Sequence, residues 1–405
     1  MPVPGLVKNA WQEELHAVIA WWESTMVDYE NGGFYGRVDA YNRLHPQSDK
    51  GIILNTRILW SFSLMTRMYG RSSYQSLAER AYEYLFTHFR DKDLGGVYWM
   101  LEAKGRVVAD RKQVYAQAFT IYSLAEFYRV TFDRRVLAWA TEIFDLLEHH
   151  SRDPRHGGYH EAFSRDWGPV SDLRLSNKDR NEAKTMNTHL HILEAYTNLY
   201  RVSPDSLLGE RIRELLQIFL EKFIHPETGH LTLFFTESWE PRSDEISYGH
   251  NIETSWLMCE AAELLKDSDL YQRCIEVTKT IGLSTLAGQD QDGGILNEGG
   301  PIGLINTDKD WWPQFEAMVG WINAWQVTGD PRFREAALSV WEFTRTHHKD
   351  YEYGEWHWCL NRDGTPNYKE DKAGPWKTPY HTIRALHEAS SRSTVAGPSG
   401  GQPVD

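Results

Sequence analysis

Gly95-Gly96-Val97-Tyr98-Trp99 is one of six glycine-centred turns that each run into a short aromatic, strand-like segment. The others are Gly32-Gly33-Phe34-Tyr35, Gly157-Gly158-Tyr159-His160, Gly229-His230-Leu231, Gly293-Gly294-Ile295 and Tyr353-Gly354-Glu355-Trp356. They recur every roughly 60 to 72 residues, room for two helices and a hairpin, and such self-similarity marks a repeat architecture.

Between the turns, apolar residues fall at helical spacing, as in Ile53, Leu54, Ile58, Leu59, Phe62, Leu64 and Met65, or Tyr115, Ala118, Phe119, Tyr122, Leu124 and Phe127. The same pattern predicts helices over Val7 to Trp22, Tyr74 to Phe89, Val136 to Glu148, Thr188 to Val202, Ser206 to Ile224 and Ile252 to Leu265. Four more follow over Leu270 to Ile281, Gln314 to Thr328, Pro331 to Thr346 and Tyr380 to Ala389. Six helical hairpins of this kind predict an all-α fold, an (α/α)6 barrel of twelve helices with short β-hairpins in the loops. The alternative is an open solenoid, whose concave face usually binds polypeptides; a closed toroid instead makes one deep pocket for the aromatic loops to wall. No Pro/Gly/Ser-rich linker or charge run interrupts positions 7 to 390, so residues 1–390 are expected as a single catalytic domain. Residues 391–405, small and polar, are expected as a disordered tail.

A formal charge of −14, from 57 acidic against 43 basic residues, argues against a nucleic-acid partner and for a small, neutral substrate. Three cysteines without CxxC spacing support neither a disulfide framework nor a zinc ribbon, and reduced thiols fit the cytoplasm. No signal peptide or membrane span is evident. Seventeen Trp and twenty Tyr exceed what a core of this size requires; their flat apolar faces with polar edges suit sugars, although most, such as Trp22 and Trp60, are expected in the core.

Three segments concentrate polar groups at predicted helix starts. In Asp179 to His191, Asn187 and His191 are four apart and share a face, whereas His189 is turned well away. In Ser247 to Trp256, Glu253 follows His250 by three residues, close enough to tune its basicity or hold its tautomer. The third comes in two pieces, Asp310 to Glu316 and Gly374 to His381, each with Trp and Pro leading into a helix. Satisfied structural histidines and an acidic helix cap are the bland alternatives. In a closed ring these starts converge on one mouth, joined by Arg57 from the first repeat and Tyr115 from the second.

No GxSxG elbow lies within positions 7 to 390, and no P-loop or dinucleotide glycine motif is present. Several histidines with few acidic partners suit reversible proton transfer at a carbon next to a carbonyl, because an imidazole both takes and gives a proton near neutrality.

The segments NTRILW (55 to 60), GGVYWM (95 to 100), KQVYAQAF (112 to 119), MNTHLHILEAYTNLYR (186 to 201), GHNIETSWL (249 to 257), DWWPQFEA (310 to 317) and WKTPYH (376 to 381) resemble the cellobiose 2-epimerases of the N-acylglucosamine 2-epimerase superfamily, over nearly the whole chain. The resemblance implies a barrel that epimerises the reducing-end glucose of β-1,4-linked disaccharides, cellobiose to glucosyl-mannose and lactose to epilactose, with no cofactor and no metal. It implies His250 and His381 as the acid/base pair at C2, His381 also assisting ring opening, and His191 supporting ring opening and the intermediate. Arg57 would contact the enediolate oxygens. Tyr115, Asp179, Asn187, Glu253 and Glu316 would bind hydroxyls or orient histidines, and Trp312 and Trp376 would stack on sugar rings. Mannose 2-epimerases and aldose-ketose isomerases keep much the same set and remain alternatives. So do an inverting glycosidase using Glu253, Glu316 and Asp179, a Mn or Zn site, and a non-catalytic carbohydrate-binding module. The expected partner is a small carbohydrate, with the protein a monomer or weak dimer.

Overall fold

The computed structural model describes residues 5–392. Six helices form an inner ring: α2 (Ile52–Tyr69), α4 (Val114–Thr131), α6 (Met186–Val202), α8 (Tyr248–Leu265), α10 (Trp311–Thr328) and α12 (Tyr380–Arg392). Six surround it: α1 (Gly5–Thr25), α3 (Ser72–Tyr84), α5 (Arg134–His150), α7 (Ser206–Ile218), α9 (Ser268–Thr285) and α11 (Pro331–Phe343). Each inner helix packs on the next, α12 packs on α2, and the first helix, α1, packs on the last, α12. The ring is therefore closed, and the chain is an (α/α)6 barrel rather than an open solenoid.

The two rings differ in pattern for a physical reason. Outer α5 buries Val136, Trp139, Ala140, Ile143, Phe144 and Leu147, a single stripe at helical spacing, and leaves its other face polar. Inner α2 has neighbours on every side and is buried without a break from Ile52 to Thr66, polar residues included. All twelve expected helices are present. Inner helices begin earlier than apolar periodicity indicates, α8 at Tyr248 rather than Ile252, because their first turns carry the polar residues of the lumen. α12 runs to Arg392, two residues into the expected tail, the rest of which lies outside the described residues. Among the described residues, no helix is long and apolar enough to cross a membrane.

The glycine turns connect each outer helix to the next inner one. All six are closed by a single antiparallel bridge: Val27 to Phe34, Arg90 to Val97, Arg152 to Tyr159, Ile224 to Leu231, Gln289 to Ile295 and Lys349 to Trp356. A polar side chain three residues into an inner helix then grips the turn. Gln117, Asn251 and Gln314 each accept the backbone N–H of Val97, Leu231 and Ile295 through the side-chain amide oxygen. His189 does the same for Tyr159 through Nε2 at 2.9 Å, its Nδ1 donating to the Thr185 carbonyl at 2.7 Å. The tight approach explains Gly158, which has φ +75° and whose Cβ would lie 2.7 Å from His189 Nε2. His189 is thus a structural strut.

Buried lysines lock the turns from below. Lys50, Lys112 and Lys184 sit two residues before their inner helices and donate to Asp28 (2.7 Å), Asp91 (2.9 Å) and Asp153 (2.7 Å). Lys309 donates to Asp292 at 2.6 Å, and Lys372 to Asp350. The other oxygen of Asp28, Asp91, Asp153 and Asp350 caps two backbone N–H groups of the turn. The fourth repeat changes both positions together, to His225 and Ile246.

Breaking such a pair strands a buried carboxylate. Lys184→Met is expected to cost about 3 to 5 kcal/mol in urea unfolding; an unchanged midpoint would show that the clamp contributes nothing.

Candidate active site

The second and sixth residues of the inner helices, four apart and so on one face, point into the lumen at one end of the ring. They supply Arg57 from α2, Tyr115 from α4, Asn187 and His191 from α6, Glu253 from α8, Trp312 and Glu316 from α10, and His381 from α12. All of these except Glu316 line one cavity of about 460 Å³, together with His250, Asp179 and Trp376. Glu316 lies just beneath it, fully buried. The residues singled out from sequence thus converge, although they come from all six inner helices and the connecting loops.

Each histidine has its Nδ1 occupied from behind, leaving Nε2 free. His191 Nδ1 is 2.9 Å from Glu194 Oε2, and His381 Nδ1 is 2.7 Å from Glu316 Oε1. His250 Nδ1 is 2.8 Å from Ser247 Oγ. This corrects the expectation that Glu253 holds His250. Helix side chains lean toward the N-terminus, so the His250 ring reaches back to Ser247 at the start of α8, while Glu253 is taken by Arg384. The indole of Trp312 sits between the two outer imidazoles, 4.6 Å from the His250 ring and 5.6 Å from that of His381.

Beneath the histidines lies Arg384, which the sequence reading passed over. Its Nη2 donates to Glu253 Oε1 and Glu316 Oε1, both at 2.6 Å, and its Nη1 to Glu194 Oε1 and the Tyr380 hydroxyl. Tyr380 in turn donates to Glu194. Glu194 and Ser247 were missed as well. The i, i+3 spacing of His191 and Glu194 was the available signal for one; nothing local announces that Arg384 meets carboxylates 68 to 190 residues away.

Electrostatics follow from this arrangement. Burial favours the neutral imidazole, so His250 is held down at about 3 and His191 and His381 are lowered too, Arg57 and Arg384 adding to the effect on both. Burial thus favours the neutral form of all three. Burial would raise Glu194, yet Arg384 and His191 hold it at about 2, an ionised partner for His191. Burial, reinforced by Glu316 and Glu194, lifts Glu253 to about 8 despite Arg384.

On the opposite wall, Arg57 Nη2 donates to the Tyr115 hydroxyl at 2.9 Å, and its guanidinium lies over the Phe119 and Tyr380 rings at 4.4 and 4.9 Å. Arg57 Nε and Asn187 Oδ1 are buried without partners, one donor and one acceptor ready for a polar ligand. Asp179 stands on the rim, where its Oδ2 accepts from the Ser176 N–H and hydroxyl at 2.7 and 2.8 Å. Trp376 forms the outer wall, 5.9 Å from the Tyr115 ring and 6.0 Å from Trp99. A second chamber of about 330 Å³ adjoins this one and shares Asp179, Asn187 and His250.

Ligating atoms of Glu253, Glu316 and His381 lie within 4.8 Å of one another, close enough for a cation. The Arg384 guanidinium already occupies the space between the two carboxylates, and a metal ion there would meet a fixed positive charge.

The sequence pattern of the N-acylglucosamine 2-epimerase (GlcNAc 2-epimerase) family matches residues 33–385. The cellobiose 2-epimerase of Bacteroides fragilis is 45% identical over 385 residues, 95% of this chain and 98% of that protein. The solved structure of cellobiose 2-epimerase from Bacillus thermoamylovorans superposes with a TM-score of 0.91 at 38% identity, covering 96% of this chain and all of that one. A D-mannose isomerase structure shares the fold, with a TM-score of 0.85 at 20% identity, covering 96% of this chain and 99% of its own. The chain belongs to the N-acylglucosamine 2-epimerase family of isomerases.

Proposed function

We propose that this protein inverts C2 of the reducing-end glucose of β-1,4-linked disaccharides, turning cellobiose into glucosyl-mannose and lactose into epilactose, without cofactor or metal. The observation that carries the reading is the set of three imidazoles, from the third, fourth and sixth repeats, all tied at Nδ1 and lining one cavity with Nε2 free. The identity to a cellobiose 2-epimerase supports the disaccharide, and the cavity with its adjoining chamber offers room for two rings. Free, buried cysteines support a reducing, cytoplasmic setting.

The pyranose is opened first: the anomeric hydroxyl loses its proton as the ring oxygen gains one, with His191 and His381 serving the exchange. The C2 hydrogen of the open aldose is acidic because the aldehyde accepts the electron pair. One of His250 and His381 removes it, leaving an enediolate whose oxygens face Arg57, a fixed cation in a low-dielectric wall. The other imidazole enters this step carrying a proton drawn from solvent and gives it to the opposite face of C2; the first then releases the proton it took, and the ring closes on the epimer. Trp312 and Trp376 stack on the sugar, while Tyr115, Asp179 and Asn187 hold its hydroxyls.

Incubated with cellobiose in D2O, the protein should yield glucosyl-mannose labelled at C2, read by NMR. A ketose would mean that the proton returns to C1, and free glucose would mean hydrolysis; either outcome as the main product contradicts the reading. His250→Ala and His381→Ala should each lower kcat by roughly 10²- to 10⁴-fold with the circular dichroism spectrum unchanged. Full activity in either would remove that histidine from the chemistry. Dialysis against EDTA should leave the rate untouched, whereas loss restored by a divalent ion would establish a metal.

A further inference from the structure

We propose that Glu253 acts as a neutral carboxylic acid, its Oε2 hydroxyl donating a hydrogen bond to a substrate oxygen in the catalytic cavity. The inference rests on the epimerase reading and adds a donor to it.

Three carboxylates, Glu194 from α6, Glu253 from α8 and Glu316 from α10, surround the single guanidinium of Arg384, and all four groups are buried. One positive charge offsets one negative. With every carboxylate ionised, the cluster would carry two uncompensated negative charges in a medium that penalises each by several kcal/mol. A proton on one carboxyl removes one of the two at the lowest cost.

Hydrogen bonding decides which one. Glu194 accepts from Arg384, Tyr380 and His191. Glu316 accepts from Arg384 and His381 at Oε1 and from the Trp256 indole at Oε2, 3.1 Å away. Both are supplied with donors on both oxygens, which favours the anion and works against the burial that lifts Glu316 as well. Glu253 accepts only from Arg384, at Oε1, and its Oε2 is buried without any partner. A bare carboxylate oxygen is the worst place in the cluster for charge and the best for a proton.

The other groups facing Glu253 do not reverse this. His191, His250 and His381 are neutral, and Tyr115 and Tyr380 are held above the usual phenol range by burial. Arg57 and Lys178 are the other cations lining the cavity, with Asp179, Asp310 and Glu370 the other acidic groups, and the Nη2 of Arg57 is directed at Tyr115. No protein group accepts from the resulting O–H, and an oxygen of the sugar supplies an acceptor. No covalent bond changes: the proton stays on Glu253 and strengthens its hydrogen bond as charge builds on the enediolate, as a protonated acid does in other oxyanion sites.

Glu253→Gln tests this, because an amide keeps a neutral donor but cannot ionise. It should retain kcat/KM within an order of magnitude of the parent near neutrality and lose the parent's decline in activity above about pH 8. Glu253→Ala should lose roughly 10²-fold, the usual effect of deleting one such donor. A folded Glu253→Gln as inactive as Glu253→Ala, or an unchanged alkaline limb, would overturn the proposal.

A second readout does not depend on activity. A carboxyl with a folded-state pKa raised above its ordinary value binds its proton more tightly when folded, so stability falls as pH rises through that window, from the ordinary carboxylate range to about 8. The melting temperature of Glu253→Gln should therefore gain on the parent's between about pH 5 and about pH 9. A constant difference would refute the protonated acid even if the protein proved not to be an epimerase. Should Glu253→Gln fail to fold, infrared difference spectra of the parent across the same window must show a buried protonated carboxyl disappearing; absence of that band is equally fatal.

Discussion

A guanidinium almost wholly withdrawn from water organises this molecule. Burying Arg384 carries a desolvation penalty of several kcal/mol unless its charge is met, and carboxylates from three other inner helices meet it at both Nη atoms. Two of those carboxylates, Glu194 and Glu316, spend their remaining capacity on the Nδ1 atoms of His191 and His381. The same interaction that draws α6, α8, α10 and α12 together therefore sets the tautomer and direction of two imidazoles. Stability and chemistry are joined at one residue, and neither histidine could be repositioned without unpairing a buried charge.

The repeat makes such a centre possible. Each inner helix begins from a glycine turn that is bridged, capped by a buried aspartate in most repeats, and gripped from within the helix by a side chain such as Gln117 or His189. Those struts fix where each inner helix starts, so the same two positions of every repeat face the lumen. With the scaffold residues holding constant geometry, the lumen residues are free to differ: a cation in the first repeat, phenol in the second, imidazoles in the third and sixth, carboxylates in the fourth and fifth.

The fold was legible because its signal is local and repeated: six glycine turns and twelve apolar stripes. Most of the cavity was legible for the same reason, since helix starts one repeat apart must converge once the ring closes. Three features were not. Helical spacing turns His189 away from the His191 face but does not show that it serves as a strut, a role that Gln117, Asn251 and Gln314 fill with different side chains, so no shared letter marks it. Glu253 lies three residues from His250, yet Arg384, from a helix 131 residues away, takes it instead. Arg384 itself sits in an ordinary stretch of α12, and only the closed ring reveals what it touches.

The central claim is that these fixed imidazoles flank a single carbon of an opened sugar. A crystal structure with a sugar alcohol of the disaccharide, open at its reduced end and unable to react, tests it most directly. The account predicts that carbon between the Nε2 atoms of His250 and His381, on opposite faces, with Glu316 still bound to His381 Nδ1. A sugar whose second carbon meets one imidazole only, or neither, would contradict it.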